Sequence, residues 1–305
     1  MMMKRKSLLA ILVTLFFIIF LLVRLDINTI INTVLKMDFK LLLLTIPFII
    51  LLYIIKTKKW LILLDSIDIK IGFLEAFKIY LIGTFYGVIT PAKVGEFTRS
   101  FYLQQKKSQT IPTILVDRIT DIVTLLLLSI VLILALFNNN ELINLIILMI
   151  VLFISAIFIV TNKRIVTMIF KLFKINDDHK ENYFVTFNRI IKNKKALYYV
   201  LLLTFCYYMV NMFIFWLIIK SLNPALNEML ALSLPIIIIM GNIPITVSGL
   251  GIREFVSVLI FSLLNEEPAY GFSASLILYV ITCLIPGLGG SVFTIRKRKN
   301  ENESK

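Results

Sequence analysis

The chain has 305 residues, of which 59% are hydrophobic and 16% are charged, and its formal net charge is +14. A soluble domain has about 45–50% apolar and about 25% charged residues, so this composition excludes a water-soluble protein and indicates an integral membrane protein. In a soluble protein the basic excess would suggest nucleic acid. Here the basic residues lie between apolar segments, where they mark membrane topology and contact lipid headgroups. We therefore expect membrane lipids, and no nucleic acid, as partners.

Six apolar segments are long enough to cross a membrane, because a transmembrane helix needs about 20 residues. The first segment follows a basic N-terminus, and no small-residue cleavage site comes after it, so we expect an uncleaved helix rather than a signal peptide. The six predicted spans are residues 7–24, 41–63, 112–137, 142–160, 196–219 and 270–293.

Two further apolar segments, residues 74–90 and 229–247, are interrupted by proline and glycine. Proline removes a backbone donor, and glycine makes a bend easy. Broken helices at membrane depth are tolerated only where protein or a water-filled cavity covers the freed backbone groups. We therefore predict an all-α polytopic membrane protein, one transmembrane domain over residues 1–305, with six full spans and two broken or re-entrant hairpins, about eight helical membrane segments. The first segment runs into Pro91 and Gly95. The second contains Pro235, Gly241 and Pro244 and then reaches Gly249 and Gly251.

The basic residues predict the orientation of the chain. If the six spans cross and the two broken segments return to their own side, 25 of the 32 basic residues, including those at 56–73, lie on the side of the N-terminus. Cytoplasmic loops carry such an excess, so we expect a cell-membrane protein with cytoplasmic termini, a basic cytoplasmic loop at 162–195 and a basic cytoplasmic tail at 296–305. If the broken segments crossed fully, the loop at 162–195 would lie outside, which its nine basic residues oppose. Trp60, which follows two lysines, is expected at the cytoplasmic interface.

The two broken segments resemble each other, which suggests an internal repeat. Residues 89–97 and 245–255 both carry Ile-Thr, then an aliphatic residue and glycine, then Glu-Phe. Each predicted half, about 1–138 and 142–293, has two spans, a broken hairpin and one more span, and the halves start on opposite sides of the membrane. This is the plan of an inverted-topology repeat, which is common among transporters. The alternative is that Gly and Pro merely kink ordinary helices.

Charged residues within or beside the apolar segments form three clusters. A charge in the middle of a bilayer costs about 2.5–3.5 kcal/mol on insertion scales, so such residues usually pair or face water. Asp117 and Asp121 are four residues apart and share one helix face, whereas Arg118 points about 100° away. The clusters are Lys93, Glu96 and Arg99; then Asp117, Arg118 and Asp121; and finally Arg253 with Glu254.

These clusters favour a polar pocket that holds an anionic headgroup. Lys93, Arg99 and Arg253 would supply positive charge, and the acids would orient the basic groups or carry protons. Gly95 and Gly251 would let backbone N–H groups approach a phosphate, as helix N-termini do. The alternative is that the first cluster lies in a solvated loop and that the acids only neutralise nearby arginines.

Three motifs occur in the order and spacing of a known membrane family. Residues 91–99 follow the pattern Pro-x-x-x-Gly-Glu-x-x-Arg, residues 117–121 follow acid-Arg-x-x-Asp, and residues 249–254 read Gly-Leu-Gly-x-x-Glu. On these motifs, and over nearly its whole length, the chain resembles the transmembrane domain of the lysylphosphatidylglycerol synthases and the related stand-alone, flippase-like membrane proteins. Asp117 stands where the family usually has Glu, and Val247 with Ser248 stands where Pro and Gly are common.

The resemblance implies translocation of a lipid or a lipid-linked polar head between leaflets, such as an aminoacylated phospholipid or a polyprenyl-phosphate-linked sugar. Because the chain ends at Lys305, soon after its last span, we expect the stand-alone form without the aminoacyltransferase domain, and no enzyme activity. The residues expected to bind the substrate or its headgroup are Pro91, Lys93, Gly95, Glu96, Arg99, Asp117, Arg118, Asp121, Gly249, Gly251, Arg253 and Glu254.

Two other functions stay open on the sequence. A secondary transporter of a soluble solute suits the inverted repeat equally well. An intramembrane enzyme acting on lipid phosphates would use acid pairs and arginine, but the motifs for CDP-alcohol transfer and for lipid phosphatases are absent. We expect no catalytic residues, no cofactor and no metal, since His179 has no other His or Cys near it in the sequence. Association into a homo-oligomer stays open.

Overall fold

The computed structural model describes residues 2–91, 93–136, 177–243 and 245–303, together with Val151, Ile154 and Asn162. Most of these residues are helical, and the described part of the chain contains no β-strand. The predicted all-helical architecture is confirmed to this extent. Apart from Val151 and Ile154, the predicted span at 142–160 lies outside the described residues.

The helices coincide with most of the apolar segments. In chain order they are α1 (Met2–Arg24), α2 (Ile27–Leu35), α3 (Phe39–Leu43), α4 (Thr45–Asp65), α5 (Phe73–Val88), a first 3-10 helix (Val94–Phe101), α6 (Lys107–Leu136), α7 (Asp177–Lys192), α8 (Lys194–Leu222), a second 3-10 helix (Glu228–Ser233), α9 (Leu234–Gly241), α10 (Ile252–Leu263), α11 (Pro268–Tyr279), a π-helical turn (Val280–Leu284) and α12 (Ile285–Glu303).

Three helical stretches in the described residues are long and apolar enough to cross a membrane. The apolar part of α1 and the short α2 form a fourth candidate, which is bent by 86°. Helix α6 has 30 residues, but its first half carries four charged side chains. The described residues thus contain three or four candidate spans, and they neither reach nor exclude the six full spans that the sequence predicted. The three unbroken candidates are Phe39–Asp65, Lys194–Leu222 and Pro268–Thr294.

The chain divides into two compact units, each built from separate stretches of sequence. We call the first the hairpin unit, because it contains the breaks of both interrupted segments, and the second the ion-pair unit. Neither unit coincides with a predicted sequence half. The hairpin unit comprises Met1–Ile54, Phe77–Thr98 and Tyr207–Lys305, and the ion-pair unit comprises Ile55–Ala76 and Arg99–Cys206.

The first interrupted segment breaks where the sequence predicted. Helix α5 stops three residues before Pro91, and the first 3-10 helix starts three residues after it; we call residues 89–93 the first break. The Thr90 hydroxyl donates to the carbonyl of Tyr86 at 2.7 Å and accepts from the N–H of Gly95 at 2.8 Å. These bonds replace some of those that the broken helix loses. A side chain on Gly95 would overlap the Tyr86 carbonyl, so the turn requires glycine.

The second interrupted segment also breaks at its predicted glycines. Helix α9 ends at Gly241 and α10 begins at Ile252; we call residues 242–251 the second break. Ser248, Gly249 and Gly251 have φ values of 53°, 82° and 87°, a region that glycine enters without steric cost. A Cβ on Gly249 would overlap the backbone of Gly241, so the two ends of the break lie close together.

The two breaks meet each other in the hairpin unit. Pro91 and Val247 form an antiparallel bridge, and the N–H of Val247 donates to the hydroxyl of Thr14 at 2.9 Å. When the two Ile-Thr pairs are aligned, Pro91 corresponds to Val247 and Lys93 corresponds to Gly249. Lys93 and Gly249 both have positive φ, at 53° and 82°. Corresponding positions of the two segments therefore pair with each other or share an unusual backbone conformation.

A kink separates α11 from α12. Pro286 has no N–H, and in an α-helix the N–H of residue 286 would bond the carbonyl of Thr282. The hydroxyl of Tyr53 donates to this carbonyl at 2.9 Å and ties α4 to the kink. Beyond the kink, α12 lies directly against α5, because a Cβ on Gly290 would overlap the carbonyl of Leu81. Small residues permit such close helix contacts in membranes.

In the ion-pair unit, residues 177–192 form a helix rather than the polar loop that the sequence predicted. The reason is a stripe of apolar side chains at helical spacing, which the surrounding basic residues obscured. This stripe packs into a small hydrophobic core. The buried residues of the core are Leu63, Val116, Phe187, Ile190 and Val200.

In the hairpin unit, α12 likewise continues as a helix through most of the predicted tail at 296–305.

We expect Tyr53→Phe to lower the free energy of unfolding by about 0.5–2 kcal/mol, the range for interhelical hydrogen bonds in membranes, because the Thr282 carbonyl loses a donor. In a Pro286→Ala background the restored N–H supplies a donor, so Tyr53→Phe should have almost no effect. A double-mutant cycle of unfolding in detergent micelles measures this coupling. Equal effects of Tyr53→Phe in both backgrounds would contradict this account of the kink.

Candidate functional site

The predicted site residues fall into two groups, one in each unit. The ion-pair unit contains Arg99, Asp117, Arg118 and Asp121, and the hairpin unit contains Pro91, Lys93, Gly95, Glu96, Gly249, Gly251, Arg253 and Glu254.

A buried network of ion pairs joins α4 and α6 in the ion-pair unit. Asp117 contacts Lys59 Nζ at 2.9 Å and Arg99 Nη2 at 3.0 Å. Asp121, one turn later, contacts Lys59 Nζ at 2.6 Å and Lys56 Nζ at 2.5 Å. The shared face predicted for the two aspartates is confirmed, since both contact Lys59. The side chains of Lys59, Arg99 and Asp117 are fully buried.

Sequence analysis missed Lys56 and Lys59 as members of this network. It treated them as basic residues of a cytoplasmic stretch, whereas the structure places both inside α4 and buries them. A usable signal was present: Lys56, Lys59 and Trp60 lie at i, i+3 and i+4 and so share one helix face. Lys58 lies on another face and is exposed. A buried lysine needs a carboxylate, and the aspartates of α6 supply it.

Arg99 and Trp60 are also buried, which corrects the interfacial position expected for Trp60 and opposes the alternative that Arg99 lies in a solvated loop. The Arg99 guanidinium lies 5.1 Å from the centroid of the Trp60 ring, and the Trp60 Nε1–H donates to the Thr113 hydroxyl at 3.2 Å. Trp60 is therefore not an interfacial anchor, and Arg99 is not in a solvated loop. Arg118 is more exposed and lies 3.8 Å from Asp121. The network holds its cations with carboxylates of the same unit.

Arg253 in the hairpin unit has a different environment. Arg253 is the second residue of α10 and is only 6% exposed. Its guanidinium lies 4.6 Å from the centroid of the Tyr279 ring. Its Nε and Nη2 have no hydrogen-bond partner among the described residues. Burying such donors without acceptors costs free energy. The guanidinium therefore keeps the capacity to donate at least two hydrogen bonds to an anion.

Glycine packing fixes the position of Arg253. A Cβ on Gly241 would overlap the Cγ and Cδ atoms of Arg253, and a Cβ on Gly249 would overlap the Gly241 carbonyl. The backbone N–H of Arg253 also donates to the Gly249 carbonyl at 3.2 Å. The second break thus holds the arginine stem against its own backbone.

Lys93 is a second cation in this region. Lys93 and Arg253 both lie within electrostatic reach of the Cys283 thiol, which is in the π-helical turn after Tyr279. The hairpin unit therefore places both cations near one thiol, and their binding of a headgroup stays a prediction.

Glu254 and the two glycine N–H groups have other roles than those expected. The Glu254 carboxylate accepts from the N–H of Gly251 at 2.6 Å and from the Ser275 hydroxyl at 3.1 Å, so it caps α10 and ties it to α11. The N–H of Gly95 donates to Thr90. Because both glycine N–H groups already have acceptors, neither is positioned to bind a phosphate.

Glu96 and Pro91 complete the first break. Glu96 is buried, and its side chain lies against α5, where a Cβ on Gly87 would come within 2.8 Å of the Glu96 Cγ. Pro91 contributes its backbone to the bridge with Val247. These two residues shape the break, while Lys93 and Arg253 supply its positive charge.

We expect Asp121→Asn to lower the free energy of unfolding by about 3–5 kcal/mol, because removing one charge of a buried ion pair leaves its partner uncompensated. Asp68→Asn is the matched control, since Asp68 pairs with Arg189 at an exposed position, and it should cost at most about 1 kcal/mol. Both values come from reversible unfolding in detergent. Equal costs for the two substitutions would show that the buried network contributes no more to stability than an exposed ion pair does.

The comparisons with known proteins agree with this membrane architecture. The family model described as the lysylphosphatidylglycerol synthase TM region matches residues 7–290. The UPF0104 membrane protein MJ1595 of Methanocaldococcus jannaschii is similar, with 23% identity over 314 residues and 94% of each chain covered. No solved structure matches the chain. The family match over nearly all residues, together with the apolar helices, identifies the chain as a multi-pass membrane protein that belongs to the lysylphosphatidylglycerol synthase transmembrane-region family.

Proposed function

We propose that the protein moves an anionic lipid, or a lipid-linked polar head, between the two leaflets of the cell membrane, with both termini in the cytoplasm. The observation that carries this proposal is the guanidinium of Arg253, which is buried beside the second break and has two nitrogens without an acceptor among the described residues. A phosphate of a lipid headgroup would supply the missing acceptors.

Phosphate suits this site for geometric and electrostatic reasons. A guanidinium presents paired N–H donors that match two phosphate oxygens. Lys93 adds a second positive charge near the same point. Charge attraction is stronger in an apolar interior than in water. Both an aminoacylated phospholipid and a polyprenyl-phosphate-linked sugar carry the required phosphate, and both remain candidate substrates.

An inverted repeat would explain how such a site opens to each leaflet in turn. In an inverted repeat, discontinuous helices of the two halves meet near the membrane midplane. The antiparallel bridge between Pro91 and Val247, which are corresponding residues, supports this plan. So do the positive φ values of Lys93 and Gly249. Rocking of one half against the other would then expose the phosphate site alternately.

The ion-pair network has a supporting role in this proposal. Its arginines and lysines contact Asp117 or Asp121, whereas Nε and Nη2 of Arg253 have no hydrogen-bond partner among the described residues. We assign headgroup binding to Arg253 and Lys93, and we assign Arg99 and Arg118 to holding α4 and α6 in place.

Arg253→Ala is expected to slow lipid exchange by about 10–100-fold, the loss of about 1.5–3 kcal/mol for a hydrogen bond to a charged group. The assay measures leaflet exchange of fluorescent phosphatidylglycerol, and of a polyprenyl phosphate, in vesicles that contain the purified protein. Arg189→Ala, at an exposed ion pair, is the control. Unchanged exchange in Arg253→Ala, or no exchange of either lipid by the native chain, would refute the proposal.

Gly241→Ala tests the same site without removing a charge. The new methyl group would overlap the Arg253 side chain and displace it, so the rate of lipid exchange should fall at least about tenfold. A tenfold decrease corresponds to a loss of RT ln 10 in binding free energy. Gly289→Ala is the control, because a Cβ on Gly289 meets no atom within 4 Å. If both alanine variants exchange lipid at the native rate, the position of Arg253 does not matter for transport.

A further inference from the structure

The second break contains a buried hydroxyl that the fold does not use. Ser248 is 1% exposed, and its Oγ has no hydrogen-bond partner in the described part of the chain. A buried hydroxyl without a partner costs free energy. The backbone of Ser248 is also strained, because its φ of 53° lies in the left-handed region that glycine enters without steric cost. A serine at this position therefore lowers stability through both its backbone and its hydroxyl.

The turn of the second break closes without this hydroxyl. In the first break, the Thr90 hydroxyl bonds the backbone on both sides of the turn. In the second break, the N–H of Leu250 donates to the Val247 carbonyl at 3.0 Å. The N–H of Gly251 donates to the Glu254 carboxylate at 2.6 Å. Because these bonds hold the second turn, the serine hydroxyl has no role of the kind that Thr90 has in the first.

Ser248 lies next to the Arg253 site. Its neighbour Gly249 packs against Gly241, and Gly241 packs against the stem of Arg253. The Tyr279 ring lies under the Arg253 guanidinium. The Tyr279 phenol is also close to the Ser248 side chain, although the two hydroxyls are not aligned as a hydrogen bond. A neutral donor and a charged donor pair therefore lie around the same tyrosine.

We propose that the Ser248 hydroxyl is a further binding residue of this site and donates a hydrogen bond to the phosphate that Arg253 binds. The inference rests on the proposed function and adds to it a neutral donor on the break itself. A phosphate has more acceptor capacity than one guanidinium fork uses, and hydrogen bonds to an ionised group are the strong ones. The phosphate of a lipid headgroup and that of a soluble ester offer the same chemistry, so both serve as probes.

Cys283 reports occupancy of the site, because it lies within electrostatic reach of Arg253. Replacing Cys206 with serine leaves Cys283 as the single thiol, since the chain has two cysteines. The experiment measures the rate at which N-ethylmaleimide alkylates Cys283 in the full chain in detergent, at constant ionic strength. The probes are glycerol 3-phosphate, which is soluble, and dioleoyl phosphatidylglycerol. The measured quantity is the probe concentration that halves the alkylation rate.

We expect Ser248→Ala to raise this concentration about 10–100-fold, the factor for a hydrogen bond to a charged group. Ser248→Gly should raise it equally, since it also lacks the hydroxyl. Glycine relieves the strain of a positive φ and alanine does not, so the glycine variant should unfold at a higher temperature than the alanine variant. Asn265→Gly is the matched control and should leave protection unchanged, because Asn265 has a φ of 59° at an exposed position.

Two outcomes would overturn the inference and leave the proposed function intact. One is an unchanged half-protecting concentration in Ser248→Ala. The other is a loss of protection in Ser248→Ala that Ser248→Gly restores, because the backbone and not the hydroxyl would then decide binding.

The two probes separate the sources of the phosphate. Protection by phosphatidylglycerol alone, weakened in both serine variants, supports the inference for a lipid headgroup. Protection by both probes, weakened in the same way, supports it for the phosphate group itself. Protection by glycerol 3-phosphate alone would support the serine contact and overturn the lipid substrate. If neither probe protects Cys283, the Arg253 site fails, and the inference fails together with the proposed function.

Discussion

A buried cation needs an acceptor, and the two units of this protein meet that need in different ways. In the ion-pair unit the aspartates of α6 hold Lys56, Lys59 and Arg99. In the hairpin unit the Arg253 guanidinium is buried, and two of its nitrogens have no hydrogen-bond partner in the part of the chain that the structure describes. An unpaired polar group in an apolar interior costs free energy comparable to a lost hydrogen bond. The chain therefore carries a destabilising feature next to its second break, and such features concentrate at functional sites.

The same constraint on polar groups shapes the backbone of the hairpin unit. Each break frees carbonyl and N–H groups that membrane hydrocarbon cannot satisfy. Nearby side chains bond some of these groups instead. Thr90 bonds both sides of the first break, Glu254 caps α10, and Tyr53 bonds the carbonyl that Pro286 leaves without its helical donor. Nε and Nη2 of Arg253 have no such partner among the described residues, and the proposed function assigns them to a ligand.

Sequence reasoning predicted the features that depend on local backbone chemistry. Pro91, Gly95, Gly249 and Gly251 located both breaks because proline and glycine act on their own φ and on the adjacent hydrogen bonds. It failed where the neighbours of a side chain decide its role. From the sequence alone, Lys56 and Lys59 fit a cytoplasmic stretch as well as they fit a buried network. Only the position of α6 beside them decides between the two. The role of Glu254 could nonetheless have been predicted, because an acidic residue three positions after a helix cap accepts a hydrogen bond from the cap N–H.

The central claim is that Arg253 receives the phosphate of the transported lipid. The most direct measurement is an experimental structure of the protein in a lipid nanodisc with phosphatidylglycerol. The account predicts phosphate density within about 2.7–2.9 Å of the Arg253 guanidinium, the usual length of a charge-assisted hydrogen bond. Phosphate density bound instead to Lys59 or Arg99, with Arg253 paired to a carboxylate of the chain, would contradict it.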